Sequence, residues 1–275
     1  MLSSPAKAFY AGLCFFSKHE NFCDSSKLGF CSSTLPRVML LVISIFITSA
    51  FSFTPDIKVY PESEIIFDHN LQCEHLDIPD APLRAFRRAD GIVIGFASHY
   101  LNRRLIGPSL STIKNDCQIV YQGDHIADPG FFNDRTWITA TWTIDGLNVY
   151  ALGHNEYQAD QFSGRCQFHT YRECWYNSIV PLQSFNGGLS FSRVNYPNPV
   201  VAPPIRNDEN EGKPRGYFNP SNIIHSSSYY YSLIGTSGFG KMPSGRCLFR
   251  TLNVFSPGSW EMWNGARYIR SAGSP

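Results

Sequence analysis

DGLNVYALGHNEY (145–157), followed after a polar loop by CWYNSIVPLQS (174–184), decides the fold, because the same arrangement occurs twice more. Upstream it reads DGIVIGFASHY (90–100) and CQIVYQG (117–123); downstream it reads SYYYSLIGTSGF (228–239) and CLFRTLNVF (247–255). Each time a turn signal launches a hydrophobic strand, and a cysteine opens the next one. A further apolar run stands before each copy: PLRAF (82–86), TWITATWTI (136–144) and PSNIIH (220–225). β-Branched and aromatic residues suit pleated strands. A unit of three or four short strands recurring every ~55–85 residues predicts blades of a β-propeller rather than one sandwich. Blades are expected at about 76–125, 130–195 and 216–265. In a propeller the innermost strand of every blade meets one axis, so side chains far apart in sequence converge on one pocket.

Composition fits an all-β domain. Aromatics make up 15% of the chain, with 14 Tyr, while 21 Gly and 18 Pro supply turns. Outside the N-terminal segment no long stretch keeps a helical period. A formal charge of +1 gives no electrostatic case for nucleic acid.

Arg37 precedes VMLLVISIFITSAFSF (38–53), an apolar run of signal-peptide length with Ala50 and Ser52 at the small-residue positions of a cleavage site. Residues 1–53 are therefore expected to be a secretory signal with a long n-region, or an uncleaved signal anchor. Translation starting at Met39 would shorten that n-region. The propeller domain would occupy 54–275, secreted or tethered outside the cell. Beyond the signal, Cys73, Cys117, Cys166, Cys174 and Cys247 form an odd set, so at least one thiol is expected to be unpaired or to pair elsewhere. Cys166 and Cys174 bracket one short loop and are expected to be bridged. No CxxC and no HxxxH occurs, and neither a metal nor an organic cofactor is expected.

SFNGGLSF (184–191) resembles the Asp-box of sialidases and related propellers, a folding element at a blade's outer turn, with Asn186 in place of the aspartate. Asn186 can accept from its own backbone while Gly187 and Gly188 take positive φ. The stretch PDAPLRAFRRADGIVIGFASH (79–99) is similar to the inner strands of five-bladed glycoside hydrolases of families 43 and 32, where an Asp near a Pro begins the first strand. By the repeat, the place of Asp80 falls in the second unit on Arg135, next to Asp134, and in the third on Phe218-Asn219-Pro220. RECW (172–175) is similar to the Glu-Cys of invertase-like propellers, whose Glu is the acid/base. The resemblance implies a five-bladed propeller acting on carbohydrate.

Strand direction sorts the candidates. Asp80, Asp134, His99, His154, Glu156 and Glu173 should gather at one end of the propeller with Tyr100, Tyr157 and Trp175. The turns Arg87–Asp90 and Ile144–Asp145 should lie at the other. Glycosidic cleavage needs one carboxylic acid and one carboxylate. Asp80 is the expected base or nucleophile, Glu156 or Glu173 the acid, and Asp134 a modulator. Arg84, His99, His154, Trp175, Arg215 and Asn219 are the expected substrate-binding residues, the arginines suiting an anionic group on the ligand. A non-catalytic carbohydrate-binding or interaction propeller stands as the alternative. NYPNPVVAPPIRNDENEGKPRG (195–216) reads as a crossover or a flap over the pocket. Closing a five-bladed ring would take roughly 80–150 further residues. An unclosed propeller, with edges open to self-association, is therefore expected.

Overall fold

The computed structural model describes residues 58–97, 99–203, 212–238 and 243–270. The signal or anchor expected at 1–53 lies outside them. From Ile65 onward the described residues belong to one compact unit. They are all-β, with short 3-10 turns between strands. No helix among them is long and apolar enough to cross a membrane.

The first blade is a meander of β1 (Arg84–Arg87), β2 (Val93–Phe96), β3 (Arg103–Gly107) and β4 (Lys114–Ile119). All four residues of β2 are buried, as befits its unbroken apolar run. The second blade comprises β5 (Arg135–Thr143), β6 (Val149–Gln158), β7 (Trp175–Ser184) and the short β8 (Ser192–Arg193). In the third, β9 (Arg215–Phe218) and β10 (Ile224–Ser226) both pair with β11 (Tyr229–Ser237). There follow β12 (Ser244–Thr251), β13 (Glu261–Trp263) and β14 (Tyr268–Arg270).

The second and third blades are not separate sheets. β9 pairs parallel with β7, Tyr176 opposite Arg215 and Asn177 opposite Gly216, which joins them into one ten-stranded sheet. The junction requires glycine. Gly216 has φ +112°, and a Cβ there would lie 2.0 Å from the Asn177 carbonyl oxygen.

Apolar clusters fill the spaces between neighbouring blades. Ile94 and Phe96 of the first blade pack on Ile138, Val149, Ala151 and Leu182 of the second. Tyr150, Leu152 and Ile179 of the second pack with Tyr217, Ile234, Phe249 and Trp260 of the third. Each fully buried side chain of this kind contributes roughly 1.5–3 kcal/mol. The Asp-box-like turn clips the first interface shut. Asn186 Oδ1 accepts the N–H groups of Leu189 and Ser190 at 3.1 and 3.0 Å, Phe191 donates to Val120 O at 2.8 Å, and its ring meets Phe96 edge-on at 5.6 Å.

Two disulfides are described. Cys166–Cys174 is the expected bridge, and Cys73–Cys117 joins the segment before β1 to β4. Cys247 is disulfide-bonded as well, so the odd thiol read from the sequence is not free. The described start of the 195–216 segment is core rather than flap: Val200, Val201 and Ala202 are buried, and Val201 bridges to Ile179. Residues 204–211 lie outside the described set.

Candidate functional site

A cavity of about 540 Å³ opens where the inner strands begin and the second strands end. Alternation along β5 sends Arg135 and Trp137 into it, and alternation along β6 sends His154, Glu156 and Gln158. The two rows lie directly opposite each other, Arg135 against Glu156 and Trp137 against His154. Trp175, at the start of β7, faces Gln158 in the ladder. Asp80, His99 and Tyr100 arrive from the first blade and Asn219 from the third, with Leu76 and Tyr171 at the wall.

Two carboxylates share this cavity in unlike surroundings. Asp80 is 46% exposed, and its Oδ2 accepts the indole N–H of Trp137 at 3.0 Å with His99 Nε2 at 3.9 Å. Glu156 is 12% exposed. Burial pushes its carboxyl up to about 7, and the charge of Asp80 adds to the rise. The amide of Gln158, the indole of Trp175 and the charge of Arg135 pull the other way. Desolvation disfavours the charged form, so it dominates here.

The neighbouring histidine fits a protonated Glu156. Asn177 Nδ2 donates to the Arg215 and Trp175 carbonyls, which fixes the amide so that Oδ1 faces His154 Nε2 at 3.0 Å. Nε2 must then carry the hydrogen, leaving Nδ1 bare and 3.6 Å from Glu156 Oε1. Burial drives the His154 pKa down to about 4, with bonds from Asn177 and Asn219 opposing it, so the imidazole is neutral at pH 7. His99 is also lowered, mainly by burial against the charge of Asp80. Rings frame the space: Trp137 meets His99 and Tyr100 at 5.3 and 5.7 Å, Trp175 meets Phe218 at 5.5 Å, and the Arg135 guanidinium lies 5.5 Å above Tyr100.

No protein-family model and no curated protein sequence matches the chain. Solved structures do. A family 32 β-fructofuranosidase from Bombyx mori, a mutant in complex with sucrose, is 15% identical with a TM-score of 0.37, over 72% of this chain and 38% of that one. An α-L-arabinanase of Cellvibrio cellulosa, complexed with arabinohexaose, is 7% identical with a TM-score of 0.34, over 72% and 78% of the two chains. An exo-1,5-α-L-arabinanase from a bovine ruminal metagenomic library is 10% identical with a TM-score of 0.35, over 74% and 80%. The match spans less than half the length of the fructofuranosidase chain. The glycoside hydrolase resemblance read from the strand pattern recurs in these three matches, at low identity.

Five sequence-derived candidates lie elsewhere. Asp134 is 1% exposed and points to the opposite side of β5 from Arg135, holding His125 Nδ1 at 2.5 Å and the Gln158 N–H at 3.2 Å. Glu173 is the last member of a capping box: its Oε2 accepts from Thr170 N and Oγ1 at 3.2 and 3.0 Å. Arg215 is buried at the β7–β9 junction with its guanidinium over the Tyr176 ring at 5.7 Å. Arg84 lines a different cavity. Tyr157 is buried and donates to the Ala127 carbonyl at 2.8 Å. The sequence reading missed Arg135, Trp137 and Gln158 as site residues, although period-two alternation from His154 and Glu156 identifies the face that carries them.

Proposed function

We propose that this chain is a carbohydrate-active propeller that hydrolyses a glycosidic bond in the cavity at its inner strands, in an oxidising extracellular compartment. The observation that carries the proposal is the pairing of a buried carboxyl pushed up to about 7, Glu156, with a water-exposed carboxyl, Asp80, in one ring-lined cavity.

Each group has a role its surroundings favour. Glu156 donates its proton to the leaving glycosidic oxygen, which requires an acid still protonated at working pH. Asp80 attacks the anomeric carbon or activates water, oriented by the Trp137 indole. Neutral His154 and His99 and the amide of Asn219 offer hydrogen bonds to sugar hydroxyls, while Trp137, Tyr100 and Trp175 offer faces for ring stacking. Two disulfides suit the oxidising compartment.

A panel of oligosaccharides and aryl glycosides, assayed for products with the wild type, D80N and E156Q, tests the proposal. Hydrolysis that D80N abolishes throughout and E156Q abolishes for oligosaccharides supports it. Binding of a sugar by calorimetry with no product from any substrate would instead identify a binding module.

A further inference from the structure

Where the inner strands meet, a second cavity of about 260 Å³ shares Asn219 with the first. Its two charged lining residues are Arg84 and Arg246; the rest of its described lining is apolar or neutral. Consecutive carbonyls bring the guanidiniums together. Asn219 O accepts from Arg246 Nη1 at 2.7 Å, and Pro220 O accepts from Arg84 Nη2 at 3.3 Å. Arg84 also donates through Nε to Thr139 O at 2.7 Å and through Nη1 to Leu83 O at 3.3 Å. Thr139 is free to accept because it is the extra residue where the β5–β6 register shifts between Ile138 and Ala140.

These contacts tie three blades together through one side chain, yet they leave the charge uncompensated. Every hydrogen-bond partner of either guanidinium among the described residues is a backbone carbonyl. A carbonyl satisfies an N–H donor but carries no net charge, so two like charges repel across a partly dry space. Burial, then the charge of Arg246, holds the Arg84 pKa below its ordinary value. Each guanidinium has five N–H donors in a fixed fork, and these contacts use three on Arg84 and one on Arg246. Paired forks with spare donors match an oxyanion.

We infer that this second cavity is an anion site, in which Arg84 and Arg246 clamp one compact tetrahedral oxyanion of the phosphate or sulfate kind, with the Ser221 hydroxyl beside it. The inference stands apart from the sugar-cleaving one, since it concerns charge balance in a different cavity. It also reaches toward it. The anion would brace Asn219, whose carbonyl Arg246 holds and which lines the first cavity with His154.

The test is the melting temperature of the full chain titrated with phosphate, sulfate or chloride at constant ionic strength. A saturable rise with phosphate and sulfate, larger than with chloride, is expected. Arg246 is exposed enough that R246Q folds; this variant should bind phosphate at least about tenfold more weakly, the loss of one charge-assisted hydrogen bond. R246K should recover part of the affinity. Calorimetric titration of the wild type with inorganic phosphate gives the same constant without any variant. An unsaturable or absent response, a response led by chloride, or an unchanged affinity in R246Q would each overturn the inference.

Discussion

Replacing Glu156 by Gln should stabilise the fold above neutral pH while removing turnover of substrates with basic leaving groups. The folded-state carboxyl titrates at about 7 against an ordinary value of 4.5. Between those values the folded chain keeps a proton that the unfolded chain has released. Glu156 therefore costs stability progressively as pH rises through the window. A shift of this size is worth about 3 kcal/mol once pH exceeds 7. His154 runs the opposite way: lowered from 6.5 to about 4, it stays neutral when the unfolded chain takes up a proton, so its contribution is complete above 6.5 and is lost as pH falls toward 4. The two slopes nearly cancel in the wild type. Glutamine mimics the protonated acid without titrating, which leaves the His154 slope alone. Urea unfolding at intervals from pH 4.5 to 8 reads the difference. A nearly flat wild-type profile is expected, with E156Q about equal at pH 4.5 and about 3 kcal/mol more stable at pH 8. Parallel profiles across the range would refute the buried neutral acid.

Three further outcomes follow from the same geometry. D80N should abolish turnover yet change stability by less than about 0.5 kcal/mol in urea unfolding, because the carboxylate is half in water. E173Q should leave turnover intact and change stability by less than about 0.5 kcal/mol, since Glu173 closes a capping box that glutamine also completes; a rate loss on the scale of E156Q would place the acid on the wrong residue. G188A should lower the melting temperature without touching turnover. A Cβ there sits 2.6 Å from Phe86 Cζ on a backbone at φ +81°, a strain of about 1–3 kcal/mol that circular dichroism melts would register.

Much of the architecture was legible because it is local. Turn signals, alternating apolar runs and the Asn186 turn each specify their own element, and strand direction then carries Asp80, His99, His154, Glu156, Trp175 and Asn219 to one end. What failed was the offset of a residue or two on which facing depends. The repeat spacing pointed at the Asp134–Arg135 pair, but a strand can turn only one of two neighbours toward a cavity, and β5 turns Arg135. Glu173 was over-read from a dipeptide although Thr170-x-x-Glu173 is a capping-box signature in plain view. The partners of Arg84 depend on a register shift at Thr139 that no local pattern announces. Arg215 is fixed by a parallel pairing with β7 across a long connection, a contact with no signature in either segment.

The central claim, that Glu156 delivers the proton to the leaving group, is tested most directly by comparing E156Q with the wild type on aryl glycosides of graded leaving-group acidity. A donor of protons matters most where the departing oxygen is basic. The loss in kcat/KM should therefore be large for alkyl or weakly acidic phenol leaving groups and shrink steadily toward nitrophenols, with the rate falling above pH 7 in the wild type but not in E156Q. A loss of the same size for every leaving group would contradict the assignment.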